Sequence, residues 1–174
     1  LPTSELSFDD CFVPDSHRLS REEGDAEGHL RKLLSEIRII TAALGLGVAR
    51  AALDEAIRYA GERKQFGKPI NRFQAIQMKL AEMATDLEAA RHLTYYAASL
   101  TDAGQPNRQE ASMAKLYATE TCTWVCERAL HLCGAQGYMK ESPVQRFYRD
   151  CKVLEIGEGT SEIQRETIFR QLGD

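Results

Sequence analysis

Leu30-Arg31-Lys32-Leu33-Leu34-Ser35-Glu36-Ile37-Arg38-Ile39-Ile40-Thr41-Ala42-Ala43-Leu44-Gly45-Leu46-Gly47-Val48 decides the fold. Leu30, Leu33, Leu34, Ile37, Ile40, Thr41, Leu44 and Val48 recur at three and four residues, which is the period of one face of an α-helix and not the alternation of a strand. The period continues through Ala52, Ala56 and Tyr59, so the helix is long. Ala42, Ala43, Gly45 and Gly47 leave one side of it small, which permits a close neighbour. Asp54 and Arg58 stand at i,i+4 and are expected to pair on the exposed side. Gly61 to Asn71, which contains Gly67 and Pro69, then breaks the pattern with a turn.

Downstream, Phe73, Ile76, Leu80, Met83, Leu87, Ala90 and Leu93 predict a second long helix, ended by Asp102-Ala103-Gly104-Gln105-Pro106. A third is predicted from about Glu110 to Cys133, with Met113, Leu116, Tyr117, Val125, Ala129 and Leu132 inward and Gly134-Ala135-Gln136-Gly137 as its stop. Shorter helices are expected over 141–153, starting near Ser142-Pro143, and over 161–172. These elements describe an all-α, antiparallel up-and-down domain of four-helix-bundle type. Upstream the pattern differs. Leu6-Ser7-Phe8 and Cys11-Phe12-Val13, closed by Pro14-Asp15, read as short strand-like pieces. Two such pieces cannot make a sheet alone, so they are expected to be the edge of a preceding domain, with Arg21 to Gly28 as linker.

The chain has 174 residues, 43% of them hydrophobic, and a formal net charge of −4 with both signs interspersed. No basic face is available for a nucleic-acid backbone and no polybasic block for a membrane surface, so neither partner is expected. Cys11, Cys122, Cys126, Cys133 and Cys151 form an odd set without a C-x-x-C pair, which suits a reducing compartment. Cys122 and Cys126 lie one helical turn apart, but nothing completes a four-ligand site, and no metal is expected.

Three stretches carry chemistry. Ile156-Gly157-Glu158-Gly159-Thr160-Ser161-Glu162-Ile163-Gln164-Arg165 holds a carboxylate between two glycines ahead of a helix start, and Ser161 with Gln164 has capping-box spacing. The alternative is a glycine-rich connector with an exposed Glu. Glu62-Arg63-Lys64-Gln65-Phe66-Gly67-Lys68-Pro69 puts three cations and an aromatic at a helix end, where cations also offset the macrodipole without any ligand. His131-Leu132-Cys133-Gly134-Ala135-Gln136-Gly137-Tyr138 follows a helix and not a strand, so it is not a Rossmann turn and by itself reads as a helix C-cap.

Taken together, Arg63-x-x-Phe66-Gly67-x-Pro69-Ile70, Gln74, Gly134-x-x-Gly137-Tyr138, Tyr148-Arg149-Asp150 and Glu158-Gly159-Thr160-Ser161-x-x-Gln164-Arg165 resemble, in order and spacing, the C-terminal domain of acyl-CoA dehydrogenases. The resemblance covers essentially the whole chain. It implies that residues 1–22 are the tail of that family's middle β-domain with its linker, and that residues 23–174 are its C-terminal helical bundle.

The resemblance also implies roles. Glu158 matches the base that removes the α-proton of an acyl-CoA thioester while a β-hydride passes to FAD. Burial beneath substrate and flavin raises such a base's pKa toward the operating pH, and hydrogen bonds to the thioester oxygen are worth ~3 to 4 kcal/mol each. Arg63, Phe66 and Gln74 match contacts to the FAD of a neighbouring subunit, with Arg63 on the pyrophosphate. His131, Gly134, Ala135, Thr160, Ser161 and Glu162 match further FAD contacts, and Arg38 and Gly159 match the acyl-CoA site. Arg38 also reads as a helix-surface cation paired with Glu36 or another acid. Electron-transferring flavoprotein is implied as acceptor, a homodimer or homotetramer as assembly, and bacterial cytoplasm or mitochondrial matrix as location.

This chain departs from the family pattern at four positions. His131 stands where Gln is common, and Ala135 where a second Gly is common. Gly157 replaces the aromatic often found before the base, which leaves more room near the α-carbon. The position from which some relatives supply the base on the first long helix is Ile37, which cannot act as one. Two other readings stay open: a helical oligomerisation module without activity of its own, and an acyl-CoA oxidase-like flavoenzyme.

Overall fold

A computed structural model describes residues 4–18 and 26–173. Five helices follow one another: α1 (Ala26–Glu62), α2 (Gln74–Asp102), α3 (Arg108–Tyr138), α4 (Pro143–Ile156) and α5 (Ser161–Leu172). Between α1 and α2 lies a two-stranded antiparallel hairpin, β1 (Lys64–Gln65) and β2 (Lys68–Pro69), with Lys64 opposite Pro69 and Gln65 opposite Lys68. Short connections force α1 to α4 to alternate in direction, as expected for an up-and-down bundle. α4 starts where the sequence places it, with Ser142 as N-cap accepting from Val144 N–H at 3.4 Å and Pro143 in the first turn.

The bundle is built on small residues. Ala42, Ala49, Ala52, Ala56, Ala90, Ala97, Ala111, Ala114, Ala118 and Ala129 are fully buried, and a Cβ on Gly45 would stand 3.3 Å from the Ala118 carbonyl oxygen. α1 and α3 therefore pack almost backbone to backbone. This corrects the inward faces read from the sequence. Leu30, Leu33, Ile40 and Leu44 are 51–60% exposed; of that face Thr41 is buried as read, and α1 buries Ser35, Arg38 and Ala42 in place of the others. On α3, Val125 and Ala129 are buried as expected, whereas Tyr117 is exposed and Cys122, Cys126 and Cys133 join the core. The small face of α1 divides as well: Ala42 and Gly45 are buried, and Ala43 and Gly47 are exposed.

Other expectations also change. Arg50, not Arg58, pairs with Asp54 (3.0 Å), while Arg58 pairs with Glu55 and with Glu62 (2.5 Å). The stop at 134–137 is a break followed by one more turn: Gly134 leaves helical geometry (φ 57°, ψ −143°), and the helix resumes to Tyr138. Residues 4–18 form no strand, and all of them are exposed, Phe8 and Phe12 at 77% and 86%. A strand needs a partner for its N–H and C=O groups, and none of the described residues offers one there. Of the linker expected over Arg21 to Gly28, residues 26–28 are instead the first turn of α1, while residues 21–25 and the boundary at 22/23 lie outside the described residues. No helix among the described residues is long and apolar enough to cross a membrane.

Candidate active site

α4 ends at Ile156 and α5 begins at Ser161, so Glu158 sits on the short loop between two helices. Glu158 has φ 59° and Gly159 φ 95°, two successive residues in the left-handed region. For a glutamate that backbone costs of order 1–3 kcal/mol and persists only where its surroundings enforce it. They do so through two side chains. Gln164 Nε2, from α5, donates to the Glu158 carbonyl (3.1 Å) and the Gly159 carbonyl (2.9 Å). Lys115 Nζ, from α3, donates to the Gly159 carbonyl (2.8 Å) and the Glu155 carbonyl (2.9 Å). The Glu158 side chain itself is exposed.

The capping box differs from its expected form. Thr160 is the N-cap, without a side-chain cap bond, and Ser161 is already helical. Gln164 turns its NH2 group, which can only donate, toward the carbonyls ahead of the helix, so it holds the loop instead of the N-cap amide. The two glycines also differ in kind. A Cβ at Gly159 would stand 2.9 Å from Gln164 Nε2 and 3.2 Å from Ile163 Cγ2, so packing of α5 demands glycine there. Gly157 has an ordinary φ of −63°.

Beneath the loop lies a buried polar layer. Arg38 is 5% exposed, which removes the surface-cation reading, and its Nη1 donates to Ser112 Oγ at 3.1 Å. Arg38 Nε and Ser161 Oγ are buried without a hydrogen-bond partner among the described residues. Burial, and then the charge of Arg108, draw the Arg38 guanidinium below its ordinary pKa. The Glu155 carboxylate accepts from Thr123 Oγ1 and from Lys152 Nζ (2.5 Å), and Arg165 meets Glu120 at 2.6 Å, tying α5 to α3. Glu162 is held below the usual carboxylate range by hydrogen bonds from its own N–H and from Thr160. Ile37 is half-buried and apolar.

A second group gathers at the far end of α1. Phe66 (φ 52°) and Gly67 (φ 79°) form the tip of the β1–β2 hairpin with the twin positive φ of a type I′ turn. Asparagine, aspartate or glycine is usual at the first of these positions, so Phe66 is strained as well as 91% exposed. Its ring meets Phe73 edge-on at 6.1 Å, Lys68 Nζ lies 4.5 Å from the centre of the Phe73 ring, and Gln74 opens α2 beside them, exposed. Arg63, Gln65, Tyr59 and Ile70 line a cleft of about 450 Å³ with Leu132 to Gln136, which joins Arg63 to Gly134 and Ala135. His131 faces a separate hollow of about 190 Å³ with Lys79, Glu127 and Arg128.

The site residues named from the sequence thus fall into two groups. Arg38 and Arg63 stand about 25 residues apart along α1, roughly 37 Å of helix axis. Lys115, Ser112 and the clamping role of Gln164 were missed. The signal for Lys115 is its spacing: it lies four residues after Ala111 and three before Ala118, on a face otherwise made of small residues.

A helical bundle with a strained Glu158 loop held by buried side chains of two helices is the frame in which comparison with known proteins gives the family. The chain belongs to the acyl-CoA dehydrogenase family, whose description "Acyl-CoA dehydrogenase, C-terminal domain" matches residues 29–173. It is 63% identical over 172 residues to benzylmalonyl-CoA dehydrogenase of Aromatoleum aromaticum, covering 99% of this chain and 46% of that protein. Among solved structures it is similar to butyryl-CoA dehydrogenase of Megasphaera elsdenii (TM-score 0.86, 40% identity, 88% of this chain and 40% of that one). It is also similar to a chain from work on the electron-transferring flavoprotein of Acidaminococcus fermentans (TM-score 0.92, 40% identity, 95% and 43%). The chain therefore spans less than half the length of these relatives.

Proposed function

We propose that this chain is the base-bearing domain of an FAD-dependent acyl-CoA dehydrogenase, in which Glu158 removes the α-proton of an acyl-CoA thioester. The observation that carries the reading is the Glu158 loop, whose strained conformation is held by side chains from two different helices. A carboxylate takes a proton from a carbon acid fastest when its approach is set before reaction, and the clamp on the loop carbonyls fixes the backbone from which Glu158 projects. Gly159 and Arg38 line the acyl-CoA side. The backbone N–H of Glu158 is the nearest candidate donor to the thioester oxygen as negative charge develops there.

The residues fit a dinucleotide cofactor on two counts. Arg63 shares one cleft with the glycine turn at 134–135, as a pyrophosphate site requires, and Ser161 has a buried hydroxyl that no group among the described residues engages. FAD, when bound, supplies the acceptor for the β-hydride. Thr160, Ser161 and Glu162 would meet it near Glu158, while Arg63, Phe66, Gln74, His131, Gly134 and Ala135 would hold a dinucleotide at the other end. Some 37 Å of helix is more than one dinucleotide bridges, which supports two cofactors per domain and a homo-oligomer.

For substrate, the acyl group of the relative at 63% identity carries an aromatic ring. Gly157, in place of an aromatic side chain, gives a branched or aryl-bearing α-carbon room. Electron-transferring flavoprotein is the proposed acceptor, and turnover with it against turnover with oxygen separates this reading from an oxidase. A reducing compartment, bacterial cytoplasm or mitochondrial matrix, suits the free thiols. In the holoenzyme, anaerobic acyl-CoA should bleach the flavin absorbance, and Glu158→Gln should slow bleaching by 10³-fold or more, on the order expected when an essential base is removed. Bleaching at the wild-type rate in Glu158→Gln would assign the base elsewhere.

A further inference from the structure

Lys115 is the largest side chain fully sealed inside the domain, with no solvent exposure. Burying an ammonium is costly unless it is paired, and a Met or Leu of similar length would fill the same space without that cost. Lys115 is not paired in the usual way. Among the described residues no carboxylate forms a salt bridge with it, and its hydrogen bonds go to two backbone carbonyls, those of Glu155 and Gly159. These two carbonyls bracket Glu158. One belongs to the last turn of α4, where carbonyls lack helical partners, and the other follows the candidate base directly.

We propose that Lys115 is a positioning residue for Glu158, its ammonium group locking the backbone of the 156–159 loop from which that side chain projects. The proposal rests on the reading of Glu158 as the base. The α3 side chain joins the end of α4 to the start of α5, so the left-handed turn at Glu158 and Gly159 is set by three helices at once. Gln164 holds the same loop from the other side, and the Gly159 carbonyl accepts from both residues. Hydrogen bonds from a charged donor are the stronger kind, so losing Lys115 loosens the loop more than losing Gln164 does.

The charges around this point come from every packed element. Arg38 on α1 adds a second cation. Glu120 on α3 is paired with Arg165 of α5, Glu155 on α4 is paired with Lys152, and Glu158 lies on the loop. Desolvation lowers the Lys115 pKa and Arg38 adds to the lowering, while Glu155, Glu158 and Glu120 oppose it.

The test uses the full flavin-loaded enzyme with Lys115→Met, which keeps volume and removes charge and donors, and Lys115→Gln, which keeps a donor and removes charge. For Lys115→Met, kcat should fall about 10- to 100-fold with KM changed less than about threefold, as for a displaced reacting group. Lys115→Gln, which keeps a donor for the loop carbonyls, should lose less kcat than Lys115→Met. Unchanged kcat in folded, flavin-loaded Lys115→Met overturns the proposal. Failure of both variants to give folded, flavin-loaded enzyme also overturns it, because Lys115 is then a structural residue only. Glu158→Gln in parallel separates the two ideas. If that variant keeps wild-type bleaching, the base reading fails; if it loses bleaching while Lys115→Met is silent, only the positioning role fails.

Discussion

At the scale of single residues, the two glycines around Glu158 make opposite demands. Gly159→Ala puts a Cβ 2.9 Å from Gln164 Nε2 at a φ of 95°, which strains the backbone and pushes aside one of the two clamps. It should cost about 1–3 kcal/mol in a denaturant titration and lower kcat together with stability. Gly157→Ala meets only the Val153 carbonyl at 3.3 Å with φ −63°, and should cost less than about 1 kcal/mol. Equal losses in both variants would contradict this account. The sequence carried Glu158 clearly, because a carboxylate between glycines ahead of a helix start is a local pattern. It carried Lys115 and Ser112 poorly, since their partners lie 40–44 and 74 residues away and no local pattern encodes such a contact. It also misread Gln164: the spacing was right, but an amide donates or accepts according to what surrounds it, and here two carbonyls surround it.

The element that misled most is α1, because it has two apolar faces. One is small, through Ala42, Gly45, Ala49, Ala52 and Ala56, and the other is large, through Leu30, Leu33, Ile40 and Leu44. Both repeat at the helical period, so periodicity established the helix and its length without choosing its inner side. Helix existence and order were therefore legible, whereas the packing and two of the ends, the start of α1 at Ala26 and the run of α3 on to Tyr138, were not. The alanine face wins inside the chain because α3 answers it with Ala111, Ala114 and Ala118, and small residues on both helices let the axes approach. Gly45→Leu should wedge them apart: its Cβ already lies 3.3 Å from the Ala118 oxygen and 3.7 Å from Cys122 Cβ, so a loss of about 1–3 kcal/mol or more is expected in thermal or denaturant unfolding. Gly47→Ala, two residues on with nothing within 4 Å, should gain about 0.5–1 kcal/mol from helix propensity. A Gly45→Leu domain as stable as wild type would mean that α1 and α3 are not in close contact.

At the scale of the molecule, this chain is, in the proposed function, the bearer of two half-sites. The cleft at Arg63 and Gly134 is open, the loop at Glu158 is exposed, and the large face of α1 has no cover within the described residues. Apolar rows of this kind are usually buried against another body. The relatives are more than twice as long, so each has polypeptide with which to cover such a face. Affinity for a dinucleotide falls when half its contacts are missing, because the remaining half must still offset the cost of immobilising the whole ligand. The purified 174-residue chain should therefore carry FAD at well below one equivalent, and added FAD should be released on gel filtration. A full-length enzyme built on this domain should retain flavin in the same experiment. A yellow chain with one tightly held FAD would mean that these residues enclose the cofactor unaided, and would overturn the division of the site into two halves.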